Sequence, residues 1–118
     1  LKQTLHSPAG KQAEAICIST QGGSFIPLND KGKPVHKLIT WMDTRAANIV
    51  SEWKNNMRDE EVRQKSGWWP ETGLPLATIE WFRRACPHDF LDTAHFCSVN
   101  YYLAFLLTDQ YKNGAPNC

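Results

Sequence analysis

The sequence predicts an α+β fold or a fragment of an α/β fold, because strand-like segments come first and helical segments follow. The strand-like segments are rich in isoleucine and lie in the first third of the chain. Farther along, apolar residues recur at helical spacing. With 118 residues, the chain is long enough for one domain with one core.

Three short strands are predicted. Residues 14–20 (EAICIST) hold a near-continuous apolar run, typical of a strand covered on both faces, with Cys17 as a small core residue. Residues 24–28 form the second strand and residues 37–43 (KLITWMD) the third. Between these two, residues 29–34 (NDKGKP) have the composition of a tight turn.

Four helices are predicted after the strands. The first follows Asp43 or Thr44 as N-cap, and the second begins with acidic residues and ends at Gly67. The third stops at Pro87, and the fourth follows Ser98 as a cap. The residues expected to face inward are Ala46, Ile49, Val50, Trp53 and Met57 in the first helix, Leu76, Ile79, Phe82 and Cys86 in the third, and Val99, Tyr102, Leu103, Leu106 and Leu107 in the fourth.

Composition and charge exclude several classes of function. A net charge of +1 gives no broad attraction to nucleic acid or anionic lipid. The longest apolar stretch, YYLAFLL, is too short to span a bilayer. The four cysteines form no Cys-x-x-Cys pair, which favours a cytoplasmic protein with reduced thiols. Both ends look cut, so we expect a piece of a longer protein.

The segment TQGGS, residues 20–24, raises the first functional question. Glycines at the end of a strand let another group approach the main chain closely, here at Gly22 and Gly23. Gln21 can both donate and accept hydrogen bonds, and open sheets bind ligands at strand ends. A β-bulge without a ligand is the alternative. A phosphate loop is excluded because no Gly-Lys-Ser/Thr follows.

The segment TWMDTR, residues 40–45, is the second candidate. The flat face of Trp41 could stack on a sugar ring, the Asp43 carboxylate could accept hydroxyl hydrogens, and Arg45 could bind oxygen acceptors. The alternatives stay open: Asp43 as an N-cap, Arg45 paired with it, and Trp41 in the core.

The sequence gives less support to a metal site or a catalytic triad. The four histidines are scattered without metal-ligand spacing, and no Ser-His-Asp set can be assembled. His36 and His88 are expected to be exposed to solvent. The GWW segment, residues 67–69, is more typical of packing than of a pocket rim.

In combination, the segments ISTQGGSFIPLNDKGKPV, ITWMDTRA, SGWWPETGLPLATIEWFRR and FCSVNYYLAFLLTD resemble the amino-terminal domain of the FGGY family of carbohydrate kinases. Members similar to xylulose kinases look closest. The resemblance covers about residues 12–118, in order and with the expected separations. It implies a partial ribonuclease-H-like (actin-like ATPase) domain, with a short mixed sheet followed by several helices, as a fragment spanning residues 1–118.

The resemblance also implies a function. Family members transfer the γ-phosphoryl group of ATP to a hydroxyl of a sugar or polyol such as xylulose. The residues carried over to the sugar pocket are Gln21, Gly22, Gly23, Trp41, Asp43 and Arg45. The phosphate loop, the catalytic aspartate and the sites for ATP and Mg²⁺ are expected outside this chain. We therefore expect no catalytic residue, no metal and no kinase activity in the fragment alone.

Two departures from the family affect the expected specificity. Many xylulose kinases have Met-His at the position of Gly22 and Gly23, which puts the identity of the sugar in doubt. Many members have Lys-Asp at the position of Val99 and Asn100, which we interpret as structural here.

Other readings remain open. A non-catalytic sugar-binding or regulatory relative is the first alternative, and a small protein-interaction domain is the second. A sheet edge left unpaired in the fragment could also join two copies as a homodimer.

Overall fold

The computed structural model describes residues 2–110. Within these residues six helices and two strands follow one another, with a short 3₁₀ turn at Gly10–Gln12 after the first helix. In chain order the elements are α1 (Lys2–Leu5), β1 (Phe25–Leu28), α2 (Ala47–Asn55), α3 (Arg58–Ser66), α4 (Pro75–Ala85), α5 (Pro87–Asp92), β2 (His95–Ser98) and α6 (Val99–Thr108). In the described part of the chain, no helix has the length and apolar character needed to cross a membrane.

Over residues 2–110, the sheet is smaller than predicted, and its two strands are antiparallel rather than mixed. Strand β1 pairs with β2 in an antiparallel register, from Phe25 opposite Ser98 to Leu28 opposite His95. On the other side of β1, the predicted third strand contributes only a bridge at Ile39, whose N–H donates to the Phe25 carbonyl at 2.9 Å. Strand β2 was missed, because only its pairing with β1 distinguishes HFCS from the start of the following helix.

The predicted first strand is wrong. Residues 13–21 form no helix or strand, the side chain of Ile16 is 51% exposed, and Cys17 is exposed rather than in the core. An apolar run becomes a strand only where a neighbouring strand satisfies its main-chain groups. No strand of residues 2–110 pairs with this run.

The predicted turn after β1 is confirmed. The Asn29 Oδ1 accepts hydrogen bonds from the main-chain N–H groups of Lys31 and Lys33, each at 3.0 Å. Gly32 has a φ of +69°, a conformation that favours glycine. Local side-chain chemistry thus fixes the exit of the chain from β1.

Helix α2 follows the predicted pattern except at its two ends. The predicted inward residues of α2 are buried, except Met57, which is 84% exposed and has a φ of +55° at the start of α3. Neither Asp43 nor Thr44 is the N-cap, since Ala46 holds that position without a side-chain hydrogen bond. Helix α3 ends at Gly67 in the left-handed conformation, as predicted.

The core lies between the sheet and α4. Phe82 of α4 is fully buried and packs with Phe25 and Ile39. Its ring meets Phe96 of β2 edge to face, with centroids 6.1 Å apart. Leu76, predicted to face inward, is 48% exposed, because the buried face of α4 begins one residue later at Ala77.

Helix α4 stops at Ala85 as expected, but Pro87 then begins another short helix, α5, since proline suits a first helical position. Helix α6 packs its two tyrosines against Ile26, Leu28 and Cys97. Its three leucines, predicted to face inward, are 39–60% exposed. The apolar content of α6 is too high all round for its sequence to identify one inner face.

Candidate functional site

A cavity of about 690 Å³ lies where the segment before β1 meets the loop between α3 and α4 and the end of β2. Its wall combines polar side chains, main chain and aromatic rings, the mixture that small polar ligands require. The lining residues used below are Gln21, Gly22, Gly23, Trp68, Trp69, Glu71, Ser98 and Asn100. The segment TQGGS therefore lines a cavity.

The side chain of Gln21 is held in one orientation. Its Nε2 donates to the Ser24 Oγ at 3.1 Å, and its Oε1 accepts from the indole Nε1 of Trp41 at 3.1 Å. The buried Ser24 Oγ also accepts from the main-chain N–H of Trp41 at 3.0 Å. One amide hydrogen and one lone pair of Gln21 are left by these bonds, so a fixed donor and acceptor remain for a ligand.

The two glycines of this segment differ. Gly23 has a φ of +76°, and a Cβ there would lie 2.7 Å from the Gly73 carbonyl oxygen and 3.0 Å from the Trp41 Cβ. A Cβ on Gly22 would meet no atom within 4 Å. Close packing with Trp41 and Gly73 accounts for glycine at position 23. Of these two glycines, only Gly22 places bare main chain next to open space.

Two adjacent tryptophans form another part of the wall. Trp68 and Trp69 are 69% and 51% exposed, so the interpretation of GWW as packing is wrong. The Arg63 guanidinium lies over the Trp69 ring, 5.2 Å from its centroid, which favours one ring orientation. Nothing in the sequence around residues 67–70 shows that this loop lines a cavity.

Asp43 and Arg45 form a separate cluster. The Arg45 Nε donates to both carboxylate oxygens of Asp43 at 2.9 Å, and the Asp43 Oδ1 also accepts from the Arg45 main-chain N–H. The guanidinium lies 3.8 Å from the centroid of Trp81. These bonds occupy much of the acceptor capacity of the carboxylate.

The electrostatics of the pair follow from this geometry. Hydrogen bonding from Arg45 lowers the pKa of Asp43, with partial burial acting in the opposite direction. The same hydrogen bond raises the pKa of Arg45, and Cys86 adds a smaller contribution in that direction. The pairing of Arg45 with Asp43 was one of the alternatives left open by the sequence.

The six predicted site residues are therefore not all brought together. Among the described residues, the lining of the 690 Å³ cavity includes Gln21, Gly22 and Gly23 but not Trp41, Asp43 or Arg45. Trp41 is 48% exposed rather than in the core, and it contacts the cavity wall through its hydrogen bond to Gln21. Arg45 lines a different depression together with residues 34–38.

Two further residues modify the sequence-based interpretation. Asn100, interpreted as structural, lines the cavity and accepts a hydrogen bond from the Ser98 Oγ at 2.7 Å. His36, expected to be exposed, is half-buried with its ring against Phe82, whereas His88 is exposed as predicted. Residues that could hold a metal ion are His36, Cys86 and Asp89, outside the cavity lining.

Comparison with known proteins finds a family model that matches nearly the whole chain. The model of the FGGY family of carbohydrate kinases, N-terminal domain, matches residues 1–115. The chain is 27% identical to a gluconokinase of Bacillus licheniformis over 101 residues, covering 86% of this chain and 20% of that protein. It is 25% identical to a glycerol kinase of Haloferax volcanii over 122 residues, covering 91% of this chain and 24% of that protein.

A solved structure has the same fold over most of the chain. The ligand-bound xylulose kinase from Lactobacillus acidophilus superposes with a TM-score of 0.74 and 25% sequence identity, covering 79% of this chain and 19% of that one. The chain thus spans about a fifth of the length of the proteins that it matches.

Proposed function

This chain belongs to the FGGY family of carbohydrate kinases, and from that premise we propose that the whole protein transfers the γ-phosphoryl group of ATP to a hydroxyl of a sugar or polyol. The relatives are kinases of gluconate, glycerol and xylulose, so family membership supports the reaction type and not one substrate. We further propose that this segment is part of a ribonuclease-H-like sugar-binding domain, with Mg²⁺ and ATP held by parts of the protein beyond it.

The observation that carries the proposal is the composition of the cavity wall. Gln21 presents a fixed hydrogen-bonding amide, Gly22 leaves main chain uncovered, and Trp68 and Trp69 present ring faces. A sugar or polyol has hydroxyl groups that both donate and accept, and C–H faces that pack on aromatic rings. The cavity offers a counterpart to both.

Residues 40–45 have a smaller role in this proposal than residues 20–24. Trp41 orients Gln21 through its indole N–H, so its ring is engaged at the edge of the site rather than as the stacking platform. Asp43 and Arg45 remain proposed sugar contacts on the strength of the family resemblance. To contact a sugar, the carboxylate must use a lone pair beyond those that bind Arg45.

The experiment uses the whole protein. A thermal-shift screen against pentuloses, hexuloses, aldonates and glycerol is expected to identify at least one ligand that raises the unfolding midpoint, because a ligand bound only by the native state stabilises it. Gln21→Ala should reduce that shift. The matched control Gln64→Ala, which changes an exposed glutamine on α3 outside the cavity lining, should not.

Phosphorylation is measured on the same samples, as ADP released with Mg²⁺·ATP and the ligand identified by the screen. Ligand-dependent ADP release supports the kinase. Binding without ADP release supports the non-catalytic relative, and no thermal shift with any sugar or polyol contradicts both. The isolated chain is expected to release no ADP, because phosphoryl transfer depends on phosphate and metal contacts that we place elsewhere.

A further inference from the structure

We propose that His36, Cys86 and Asp89 form a binding site for a thiophilic divalent metal ion, with Zn²⁺ as the ion that their chemistry fits best. The three residues are far apart in the sequence, so no ligand spacing along the chain reveals them. In the structure, one potential ligand atom from each lies within 4.8 Å of the others, and all three residues are half-buried.

The imidazole of His36 has one ring nitrogen engaged by the main chain, which leaves the other for coordination. Its Nδ1 lies 2.9 Å from the Lys37 carbonyl oxygen, a contact that requires Nδ1–H as the donor and leaves the lone pair on Nε2. The ring also packs edge to face against the fully buried Phe82, with centroids 5.1 Å apart. A main-chain acceptor on the other ring nitrogen is the usual arrangement of a metal-binding histidine.

Cys86 is held at the junction of α4 and α5. Its main-chain N–H donates to the Phe82 carbonyl at 2.8 Å, and its own carbonyl accepts from the Phe90 N–H at 2.9 Å. The side chain is a free thiol that packs against the core formed by Phe25, Ile39 and Phe82. Both sides of the residue are thus fixed by the fold, and its sulfur is available as a ligand.

Asp89 supplies the third donor from the first turn of α5. Its main-chain carbonyl accepts from the Thr93 hydroxyl, and within residues 2–110 its carboxylate takes part in no ion pair. Arg45 is a cation near enough to interact electrostatically with Cys86, and it forms an ion pair with Asp43. The Asp43 carboxylate would offset part of the repulsion between this guanidinium and a bound metal ion.

The donor set selects the ion. One nitrogen, one sulfur and one oxygen are the ligands of tetrahedral zinc, whereas Mg²⁺ and Ca²⁺ prefer oxygen alone. Zinc–ligand bonds of about 2.0–2.3 Å place ligand atoms about 3.5 Å apart, so the side chains need to close by about 1 Å. Three protein ligands leave the fourth position to water. The ion would join residues 34–38 to the α4–α5 junction.

The test uses the full-length protein stripped of metal with a chelator and reloaded with ZnCl₂ or CoCl₂. We expect wild type to bind zinc with a dissociation constant at least about tenfold lower than Cys86→Ser, His36→Gln or Asp89→Asn. Co²⁺-loaded wild type should show a thiolate-to-metal absorption band that Cys86→Ser lacks. Matched controls are the exposed residues Cys17→Ser, His88→Gln and Asp92→Asn, which should bind as wild type does.

Zinc affinity unchanged in folded Cys86→Ser, or a cobalt spectrum without the thiolate band in wild type, would overturn the proposal. If the variants fail to fold, the rate at which Cys86 of wild type is alkylated tests the proposal instead. Zinc should slow the reaction of Cys86 with iodoacetamide at least about tenfold, as measured by peptide mass spectrometry. The exposed Cys17 serves as the internal reference. Equal rates for Cys86 with and without zinc also overturn the proposal.

Discussion

Residues 20–24 and residues 40–45 were both predicted to contact one sugar, but the structure gives them different surroundings. The first segment lines a cavity of about 690 Å³ and keeps hydrogen-bonding capacity on Gln21. In the second segment, Asp43 and Arg45 bind each other, and the guanidinium lies on Trp81. Gln21 keeps one donor and one acceptor for a ligand, whereas the Asp43 carboxylate is largely engaged by Arg45.

Trp41 connects the two segments. Its indole N–H and its main-chain N–H donate to Gln21 and Ser24 respectively, and its main chain closes on Gly73. The cavity wall is thus built on a contact among three chain segments that are distant in sequence. This contact explains why the first segment needs glycine at position 23.

Gly23→Ala should have the largest effect. The positive φ and the 2.7 Å approach of a Cβ to the Gly73 carbonyl oxygen cost together about 3 kcal/mol of unfolding free energy. Urea denaturation of the two proteins measures the difference. Gly22→Ala is the matched control, expected to lose no more than about 0.5 kcal/mol, because a Cβ there meets no atom within 4 Å. Equal losses in both variants would contradict the packing account of Gly23.

Gln21→Ala and Asp43→Asn separate binding from stability. Gln21→Ala should raise the sugar dissociation constant about tenfold, the value of one lost hydrogen bond, and change stability by about 0.5 kcal/mol. Asp43→Asn should lower stability by about 1 kcal/mol through the weakened ion pair and raise the dissociation constant about threefold. Calorimetric titration and urea denaturation measure both quantities.

The outcome that breaks the comparison is a loss of binding in Asp43→Asn as large as in Gln21→Ala, which would place both segments on the sugar equally. Unchanged binding in Asp43→Asn, with stability reduced, would instead make the ion pair purely structural and remove Asp43 from the site.

Of the two segments, only residues 40–45 should respond to acid, because residues 20–24 contain no ionisable side chain. In the folded protein the pKa of Asp43 is lowered from its ordinary value of 3.8. The ion pair therefore stabilises the folded protein above pH 3.8, and this stabilisation is lost as the pH falls through the lowered pKa. The stability difference between wild type and Asp43→Asn should shrink below pH 3.8, by less than about 1 kcal/mol since Arg45 is half exposed. A constant difference down to pH 2 would contradict the ion-pair account.

Urea denaturation at several pH values measures that difference. Glu80, whose pKa is lowered to about 2 by Arg83 and then Arg84, titrates in the same range. Because Glu80 is present in both proteins, its contribution cancels in the comparison. Gln21→Ala serves as a second reference. Because its mutation lies in the segment without an ionisable group, its stability should vary with pH in the same way as that of wild type.

Local chemistry made part of this fold predictable. The turn at Asn29 and Gly32, the end of α3 at Gly67 and the buried face of α2 each depend on residues close in sequence, and these predictions are confirmed. Pairing could not be predicted, because β2 and the bridge at Ile39 depend on contacts with β1 across the chain.

The candidate site divides in the same way. The segment at Gln21 was found from its own composition, whereas Trp68 and Trp69 were assigned to packing because nothing local shows that the loop faces a cavity. The grouping of His36 with Cys86 and Asp89 depends entirely on tertiary structure. That the six predicted residues contact a sugar remains a prediction. Gln21→Ala and Asp43→Asn test it for two of them.

The smallest effect should distinguish the two tryptophans that line the cavity. Trp69→Ala loses the contact with the Arg63 guanidinium and should reduce stability by about 0.5 kcal/mol, whereas Trp68→Ala, at a ring that is 69% exposed, should change stability by less than that. Both should weaken sugar binding measured by calorimetric titration, because each removes a ring face from the cavity. If neither variant weakens binding while Gln21→Ala does, the sugar lies against the first segment, and the two tryptophans are not part of the site.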